Sequence, residues 1–377
     1  MCLSSGLDAT VVGVTRALSV AVLGAGGTIA RAIVRDLAES DEVGELLLLD
    51  VDGDRAARAA VEHGGGRARA AAVDARGCLA PVLAGSDVLV NAASYRVNLV
   101  AMEAALAADC DYLDLGGLYW MTALQLELHE RFQRAGRLAV LGMGASPGTT
   151  NVMAVHGIRQ LGAGETVHAI HVAAAGRDPE PAEALRAPYA LRTLLDELTM
   201  APVVLDDGRP RELEPLAPGG IVRFPDPIGE VTTFHTLDSE VRTFGPSFGV
   251  REASFRLSLA PALLRRLEGL RYAAEEEIAA AQAAAIGPSA QAVSAHVVEV
   301  ISAGGRTVRV SALTEPMAAW NLGGGVVSTA APAAALVRLL ARGRVRRVGV
   351  HPPEKCVDPG DLFPELEQRG CRIDVTP

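Results

Sequence analysis

The segment Ser19–Leu37, SVAVLGAGGTIARAIVRDL, constrains the fold of this chain more than any other. It has the pattern of a buried strand, a glycine-rich turn and a helix, and a second apolar run, LLLLD, ends at Asp50. Glycines after one strand and an acid at the tip of the next are typical of a βαβ unit that binds a dinucleotide. The segment therefore predicts such a unit near the start of the chain.

The residues of this motif suggest how a dinucleotide would be held. Gly24 permits the tight turn, and Gly26 lets the backbone approach a pyrophosphate that the N–H groups of the next helix attract. Asp50 can accept hydrogen bonds from a ribose and would repel a 2′-phosphate, which favours NAD over NADP. The third fingerprint position is Ile29 instead of Gly or Ala. The predicted cofactor contacts here are Gly24, Gly26, Gly27, Thr28, Ile29, Asp50 and Val51.

Composition limits the class of protein. A chain of 377 residues exceeds the length over which one core keeps growing, so two domains are expected. Its 45 acidic residues against 35 basic ones argue against a nucleic-acid surface. Apolar runs stop short of membrane-spanning length, and five scattered cysteines without CxxC spacing favour a reducing cytoplasm. No helical Glu/His pair with metal-binding spacing is present, so no metal is expected.

Strand and helix patterns alternate from Ser19 to about Thr150, which predicts an α/β, Rossmann-like doubly wound parallel sheet. Short strands, one long helix over Pro261–Ala285 and a hairpin turning at AGGR then indicate an inserted α+β domain. The predicted divisions are a disordered extension (1–18), the dinucleotide-binding domain (19–150), the α+β domain (151–322) and a helix and tail that return to the first domain (323–377).

Ligands of such sheets bind beyond the carboxyl ends of the strands, so strand-end residues are candidates for the site. Ala92, Ala93 and Ser94 are small where the cofactor should pass, and we expect backbone contacts there. Asp74, at the end of the third strand, faces either the adenine amino group or a surface turn.

The segment GASPGTTN is the main candidate on the substrate side. Its last three residues begin a helix whose first N–H groups lack partners within the helix and favour an anion such as a carboxylate. An ordinary capped turn is the alternative. The predicted substrate contacts here are Gly148, Thr149, Thr150 and Asn151.

Three further residues lie at strand ends near the same cleft. Tyr95 could hydrogen-bond a substrate amine or relay its proton, and Arg96 could pair with a carboxylate or lie in solvent. Asp114 could bind an ammonium group or orient a catalytic group, and it could alternatively cap a turn.

The ordered motifs resemble the saccharopine dehydrogenase family, and most closely its lysine 6-dehydrogenase branch. They are GAGGTIA, LLLDVD, VNAASY, YLDLGG, LGMGASPGTTN, DDGRPRELEPL, TFHT and GVHPPE. Ser146 stands where saccharopine reductases carry an acid, and the lysine 6-dehydrogenase branch also has a small residue there. The resemblance implies a Rossmann domain, a substrate domain that mediates homodimerisation, and NAD(P)-linked oxidation at a C–N bond of an amino acid.

The resemblance also singles out residues of the second domain. His235, in TFHT, is a candidate base because hydride removal requires a neutral amine, and a structural role is the alternative. Arg256 matches an arginine of the branch, without the Gly-His pair that follows there, and Arg242 is another candidate carboxylate partner. The histidines in periodic patterns, His156, His168, His171 and His296, are predicted to be structural.

These observations favour an NAD-dependent amino-acid dehydrogenase. An amine-bearing carbon would give hydride to the nicotinamide, and the resulting imine would cyclise or hydrolyse. The alternatives are a saccharopine- or carboxynorspermidine-type imine reductase and a non-catalytic NAD-binding scaffold. A dehydrogenase with a nucleophilic thiol is disfavoured because Cys110, the only cysteine near the cleft, ends a helix on the wrong side.

Overall fold

The computed structural model describes residues 16–162, 164–180, 185–187 and 189–376. Residues 1–15 of the predicted extension lie outside these ranges. The strands are β1 (Leu18–Leu23), β2 (Val43–Asp50), β3 (Ala68–Ala72), β4 (Val88–Asn91), β5 (Asp111–Asp114), β6 (Leu138–Val140), β7 (Val167–Arg177), β8 (Val203–Asp206), β9 (Arg209–Glu212), β10 (Pro218–Arg223), β11 (Glu230–His235), β12 (Glu252–Leu257), β13 (Val293–Ser302), β14 (Thr307–Thr314), β15 (Gly349–His351) and β16 (Cys371–Thr376). The helices are α1 (Thr28–Ala38), α2 (Gly53–His63), α3 (Asn98–Ala107), α4 (Leu118–Leu126), α5 (His129–Arg134), α6 (Thr149–Leu161), α7 (Leu191–Thr199), α8 (Glu240–Phe248), α9 (Pro261–Gly269), α10 (Glu275–Ala284), α11 (Gly324–Ala341) and α12 (Pro359–Glu367).

The first domain is built on a parallel sheet with the strand order β15-β6-β5-β4-β1-β2-β3. Its central strands read as continuous apolar runs, such as Leu46–Leu49, because helices cover both faces of the sheet. The strand order reverses at β1, which pairs with β2 on one side and β4 on the other. This sheet confirms the predicted Rossmann-like class, and the reversal marks the edge at which ligands of such sheets bind.

The second domain is built on a mixed sheet with the order β10-β11-β12-β7-β13-β14-β16, and β8 and β9 lie off this path. Strands β12 and β7 are parallel, and the other pairs along the path are antiparallel. The predicted hairpin is present, with β13 and β14 joined through AGGR. One face of this sheet packs against α6 and α11, which places it beside the first domain.

Two expectations about the elements were wrong. The helix predicted over Pro261–Ala285 is two helices, because α9 ends at Gly269 and Ala274 has an extended backbone. The last segment does not only return to the first domain, since β16 pairs with β14 of the second sheet, with Val375 opposite Val310. Helix α11 does pack on α1, and β15 does extend the first sheet.

Helix α11 lies in the interior of the protein. Arg338, which is 4% exposed, donates hydrogen bonds to Asp36 of α1 at 2.9 Å and to Glu365 of α12 at 2.6 Å. Among the described residues, α11 is the one helix long and apolar enough to cross a membrane, and 78% of it is buried inside the protein. Burial in the core therefore accounts for its apolar composition.

Candidate active site

The glycine-rich turn between β1 and α1 packs tightly against the end of β4. Gly24 has a φ of +77°, and a Cβ there would lie 2.8 Å from the Cα of Ala93. Both the backbone conformation and the close approach require glycine. The β1–α1 turn is therefore packed against the segment that follows β4.

The start of α1 is arranged to receive an anion. Gly27 precedes the helix in an extended conformation and supplies no side-chain cap. The first N–H groups of the helix have no partner within it, and the helix dipole favours negative charge there. Thr28, Ile29 and Ala30 face the large cavity described below, where a phosphate would meet these groups.

Asp50 anchors the glycine-rich turn, which is a role that the sequence did not reveal. The Gly26 amide donates to Oδ2 of Asp50 at 2.9 Å, and the amide of Asp52 donates to Oδ1 at 3.0 Å. Arg55 donates to the carbonyl of Gly26 at 2.9 Å, and a Cβ at Gly26 would lie 2.7 Å from the Cβ of Arg55. Gly26 thus makes room for Arg55, and its approach to a pyrophosphate stays a prediction. Asp50 is 8% exposed and is not among the cavity-lining residues, and each of its oxygens has a lone pair left for a further donor.

Of the other predicted cofactor contacts, some line the cavity and some do not. Ala92 and Ala93 line the cavity beside the turn, and Ser94 accepts a hydrogen bond from the amide of Arg96. Val51 is 75% exposed, and it is not among the cavity-lining residues. Asp74 is exposed and accepts a hydrogen bond from the amide of Arg76, so the structure shows the surface turn that was its alternative.

A cavity of about 790 Å³ lies between the two domains. The first domain contributes the start of α1, Arg55, Tyr95 and the turn containing Ser146 and Pro147. The second domain contributes the ends of β7, β12 and β13 together with parts of α7 and α9. The volume falls in the range typical of ligand pockets, and both domains must be present to form it.

Tyr95 and Arg96 belong to a charged cluster that joins the domains at this cavity. Tyr95 donates to Oδ2 of Asp196 at 2.8 Å, and Arg96 contacts the same oxygen at 2.5 Å. Arg192 pairs with the other oxygen at 3.2 Å. Asp196 is 4% exposed, and burial raises the pKa of Tyr95. Tyr95 reaches the cavity as predicted, but Arg96 is committed to Asp196 instead of a substrate carboxylate.

Asp114 is closed off from any substrate, which corrects its predicted catalytic role. It is 1% exposed, and its carboxylate accepts five hydrogen bonds. The donors are Asn98, Tyr112, Gln125 and the amides of Gly116 and Gly142. Burial raises the pKa of Asp114, and these donors oppose that shift. Asp114 therefore holds the ends of the fifth and sixth strands together.

The start of α6 does not bind a carboxylate in the predicted way. The amides of Thr149 and Thr150 donate to the carbonyls of Gly144 and Ala145, and the amide of Gly148 donates to the side chain of Asn151. Thr149, Thr150 and Asn151 are also buried. Asn151 donates to Glu354 at 2.8 Å. The capped turn, which was the alternative, is what the structure shows.

His235 and Arg256 lie on the face of the second sheet that is turned away from the cavity. Phe255 and Leu257, which flank Arg256 along β12, line the cavity, so Arg256 points to the opposite face. His235 is directly opposite Arg256 in the antiparallel pair and shares its face. Arg256 lies 3.6 Å from Glu299, and burial lowers the pKa of His235. The structure therefore corrects both predicted roles.

Arg242 is not among the residues that line the cavity. Its guanidinium lies 6.0 Å from the centre of the Tyr119 ring, in a cation–π arrangement. The structure therefore places Arg242 against an aromatic ring of the first domain and not at the predicted substrate site.

Three ionisable residues that the sequence did not single out line the cavity from the second domain. Tyr189 donates a hydrogen bond to Oε2 of Glu197, and Asp238 lies close to both. Burial and the nearby Asp238 carboxyl raise the pKa of Glu197 to about 8, against the hydrogen bond from Tyr189, which lowers it. A carboxyl group with such a pKa can gain or lose a proton near neutral pH.

A pair of buried carboxyl groups lies behind this wall. The Glu240 amide donates to Oδ1 of Asp238 at 3.2 Å, and Oε1 of Glu240 accepts from Ser146 at 2.8 Å and from Thr150. Burial raises the pKa of Asp238, and burial together with Asp238 raises that of Glu240 well above its usual range. The pair shares a proton because two adjacent buried carboxylates cannot both ionise.

His296 was predicted to be structural, but it faces the cavity. It lines the cavity from β13, is 6% exposed, and makes no hydrogen bond among the described residues. Burial lowers its pKa to about 4, so the imidazole is neutral at physiological pH. A buried imidazole that lacks a protein partner can be satisfied by what the cavity holds.

Thiol and metal chemistry find no support in the described part of the chain. Cys110 is fully buried, and burial raises its pKa to about 12, so it cannot act as the thiolate of the disfavoured alternative. Residues 16–162, 164–180, 185–187 and 189–376 contain no group of three His, Cys, Asp or Glu residues that could hold a metal ion.

The parallel sheet, its glycine-rich turn and the cavity shared with a mixed-sheet domain define a two-domain NAD(P)-binding fold. Residues 20–140 match the family model described as saccharopine dehydrogenase NADP binding domain. The structure resembles saccharopine dehydrogenase (L-Glu forming) from Saccharomyces cerevisiae with a TM-score of 0.66 at 14% identity, covering 96% of this chain and 100% of that one. The first domain therefore matches the NADP-binding domain of saccharopine dehydrogenases, and the chain as a whole shares the fold of the yeast enzyme.

A second similarity is to carboxyaminopropylagmatine dehydrogenase from Synechocystis sp. (strain ATCC 27184 / PCC 6803 / Kazusa). The two are 23% identical over 266 residues, which is 67% of this chain. The match spans 65% of the relative, slightly less than two thirds of its length.

Proposed function

We propose that the chain is an NAD-dependent oxidoreductase that acts on the C–N bond of an amine-bearing amino acid. One observation carries this proposal. The start of α1, whose free N–H groups can bind an anion, and the ionisable side chains of the second domain face a single cavity of about 790 Å³. A dinucleotide bound along α1 would bring its reactive end toward the residues that could handle an amine and its proton. The match of residues 20–140 to the saccharopine dehydrogenase NADP binding domain supports the same class of reaction.

The residues present fit a dinucleotide. The first turn of α1 would hold the pyrophosphate, Asp50 would hold the adenosine ribose, and Ala92 and Ala93 leave space beside the turn. When bound, the cofactor supplies a hydride acceptor or donor. The chain's own residues would position the substrate, exclude water from the cavity and exchange the amine proton.

We propose NAD as the preferred cofactor because a carboxylate at Asp50 would repel the 2′-phosphate of NADP. Arg55 is the residue that could oppose this preference. It lines the cavity and contacts the Gly26 carbonyl, so its guanidinium could also approach a phosphate.

Lysine is the substrate that we propose first, oxidised at its terminal amine in the manner of the lysine 6-dehydrogenase branch. The basis is the sequence resemblance, including the small residue Ser146 next to Pro147. The second candidate is reduction of an imine to a secondary amine. The similarity to a protein named carboxyaminopropylagmatine dehydrogenase favours this candidate.

The absorbance of NADH and NADPH tests these proposals. Purified protein is mixed with NAD or NADP and lysine, ornithine, saccharopine or carboxyaminopropylagmatine, and the reverse reaction is run with the corresponding aldehydes and amines. Turnover with lysine supports the first candidate, and turnover only with the substituted amines supports the second. Tight NADH binding without turnover of any amine would contradict the proposed function and support a scaffold.

We further propose a homodimer in the cytoplasm. The family resemblance supports the dimer, and the cysteines Cys78, Cys110, Cys356 and Cys371 are all free, as expected in a reducing compartment. Light scattering on the purified protein gives the mass in solution, and a mass equal to one chain at micromolar concentration would contradict the dimer.

A further inference from the structure

The cavity wall formed by Tyr189, Glu197 and Asp238 holds two carboxyl groups without a cationic partner among the described residues. Glu197 lies on α7, and its side chain is held by the hydroxyl of Tyr189 just before that helix. Among the described residues, no arginine or lysine pairs with Glu197 or Asp238. The nearby Asp196, by contrast, is paired with Arg96 and Arg192. The wall is therefore suited to a cationic ligand.

His296 offers a second polar group to a ligand in the cavity. This imidazole approaches the cavity from β13, on another side from α7, and has no hydrogen-bond partner among the described residues. A buried polar group without a partner costs free energy unless a ligand or water satisfies it. A ligand that binds Glu197 through a cation and also carries a polar group could satisfy both sides of the cavity.

The other candidates for a proton acceptor are already engaged. The hydroxyl of Tyr95 donates a hydrogen bond to Asp196, and the charge of Asp196 opposes ionisation of the phenol. Asp114 is enclosed by five donors, and His235 is on the far face of the sheet. Glu197 is a carboxyl group that lines the cavity, has no cationic partner and titrates near neutral pH.

We propose that Glu197 binds the cationic amine of the substrate and takes its proton, and that Tyr189 positions the Glu197 carboxyl. This inference rests on the proposed function. The carboxylate removes one proton from the ammonium group, which leaves a neutral amine. The nitrogen lone pair would then form the C=N bond as hydride leaves the adjacent carbon, which gives an iminium ion and protonated Glu197. A bound oxidised nicotinamide would accept the hydride. Imine reduction follows the same steps in reverse.

The pH dependence of turnover tests this assignment. Because the Glu197 carboxylate must be ionised to accept the proton, kcat/KM for amine oxidation should rise with pH up to about 8 and then level off. Glu197→Gln keeps the shape of the side chain but cannot accept a proton, so kcat/KM should fall by about 100-fold or more and this rise should disappear. NADH affinity should stay unchanged in the variant.

Tyr189→Phe separates positioning from catalysis. Loss of the phenol removes the hydrogen bond that lowers the pKa of Glu197, so the rise in kcat/KM should move to higher pH while turnover persists. Glu276→Gln, an exposed glutamate on α10, is the matched control and should reproduce the wild-type profile. A wild-type pH profile in Glu197→Gln would overturn the proposal.

Binding of cadaverine to the NADH complex tests the amine site without turnover. Calorimetry should show binding at least about tenfold weaker to Glu197→Gln than to the wild type, because a buried charge-assisted contact is lost. Equal affinity would overturn the inference. If the wild type binds cadaverine through Glu197 but oxidises no amine and reduces no imine, the amine site stands and the proposed function fails.

Discussion

The hydroxyl of Tyr95 donates a hydrogen bond of 2.8 Å to the carboxylate of Asp196, and this contact joins the two domains beside the cavity. Tyr95 follows β4 of the first domain, and Asp196 lies on α7 of the second. Arg96 and Arg192 bind the same carboxylate, so each domain contributes one guanidinium to it. The contact therefore fixes how α7, with the neighbouring Glu197, lies relative to the cofactor-binding turn.

Tyr95→Phe should lower the free energy of unfolding by about 1–2 kcal/mol, because a hydrogen bond to a buried carboxylate is lost while both arginines remain. Urea denaturation followed by circular dichroism measures the change. Tyr272→Phe, at a tyrosine that is 87% exposed, is the control and should have no effect. Equal stability of Tyr95→Phe and the wild type would show that the contact does not stabilise the domain arrangement.

Asp50→Ala should weaken NADH binding by about tenfold or more and NADPH binding less. The substitution removes a ribose ligand and also the acceptor of the Gly26 amide, while it relieves repulsion of a 2′-phosphate. Fluorescence titration with both cofactors gives the two affinities, and Asp41→Ala, at an exposed position, is the control. An unchanged ratio of the NADH and NADPH affinities would contradict the assignment of Asp50 as the NAD-selecting residue.

The local part of the site could be predicted from the sequence. The glycine turn, the start of α1 and the position of Asp50 follow from one contiguous pattern, because the chemistry of a βαβ unit depends on neighbouring residues. The structure adds what that pattern cannot contain, such as Arg55 packing over Gly26 from the next helix. Contacts between separate elements are decided by tertiary packing.

The substrate side could not be predicted from local patterns. Which face of β11 carries His235 depends on its pairing with β12, and a shift of one residue reverses every side chain. Asp114 looked available because its donors, such as Gln125 and the amide of Gly142, come from later elements. Glu197 lies in no recognisable motif, and only the folded chain brings it beside Tyr189 and Asp238.

Gly24→Ala should destabilise the protein markedly more than Gly66→Ala. Both glycines have nearly the same φ, +77° and +78°, so alanine strains the backbone by about 1–2 kcal/mol at either position. A Cβ at Gly24 would also lie 2.8 Å from the Cα of Ala93, whereas no atom lies within 4 Å of a Cβ at Gly66. Urea denaturation of the two variants isolates the cost of that close approach. Equal destabilisation would show that the turn can move away from β4.

The pH dependence of stability should reveal the buried His296. Burial holds its pKa at about 4, below the usual 6.5 that applies in the unfolded chain. Between these values the unfolded state binds the proton and the folded state does not, so this contribution to stability is present above pH 6.5 and is lost as the pH falls toward 4.

His296→Gln removes this titration. The unfolding free energy of the wild type, relative to that of the variant, should therefore fall by about 2 kcal/mol between about pH 7 and about pH 5. Urea denaturation of both proteins across this range gives the difference directly, and other titrating groups cancel because both proteins contain them. A difference that stays constant with pH would mean that His296 has the same pKa in the folded protein as in the unfolded chain, so that burial does not lower it.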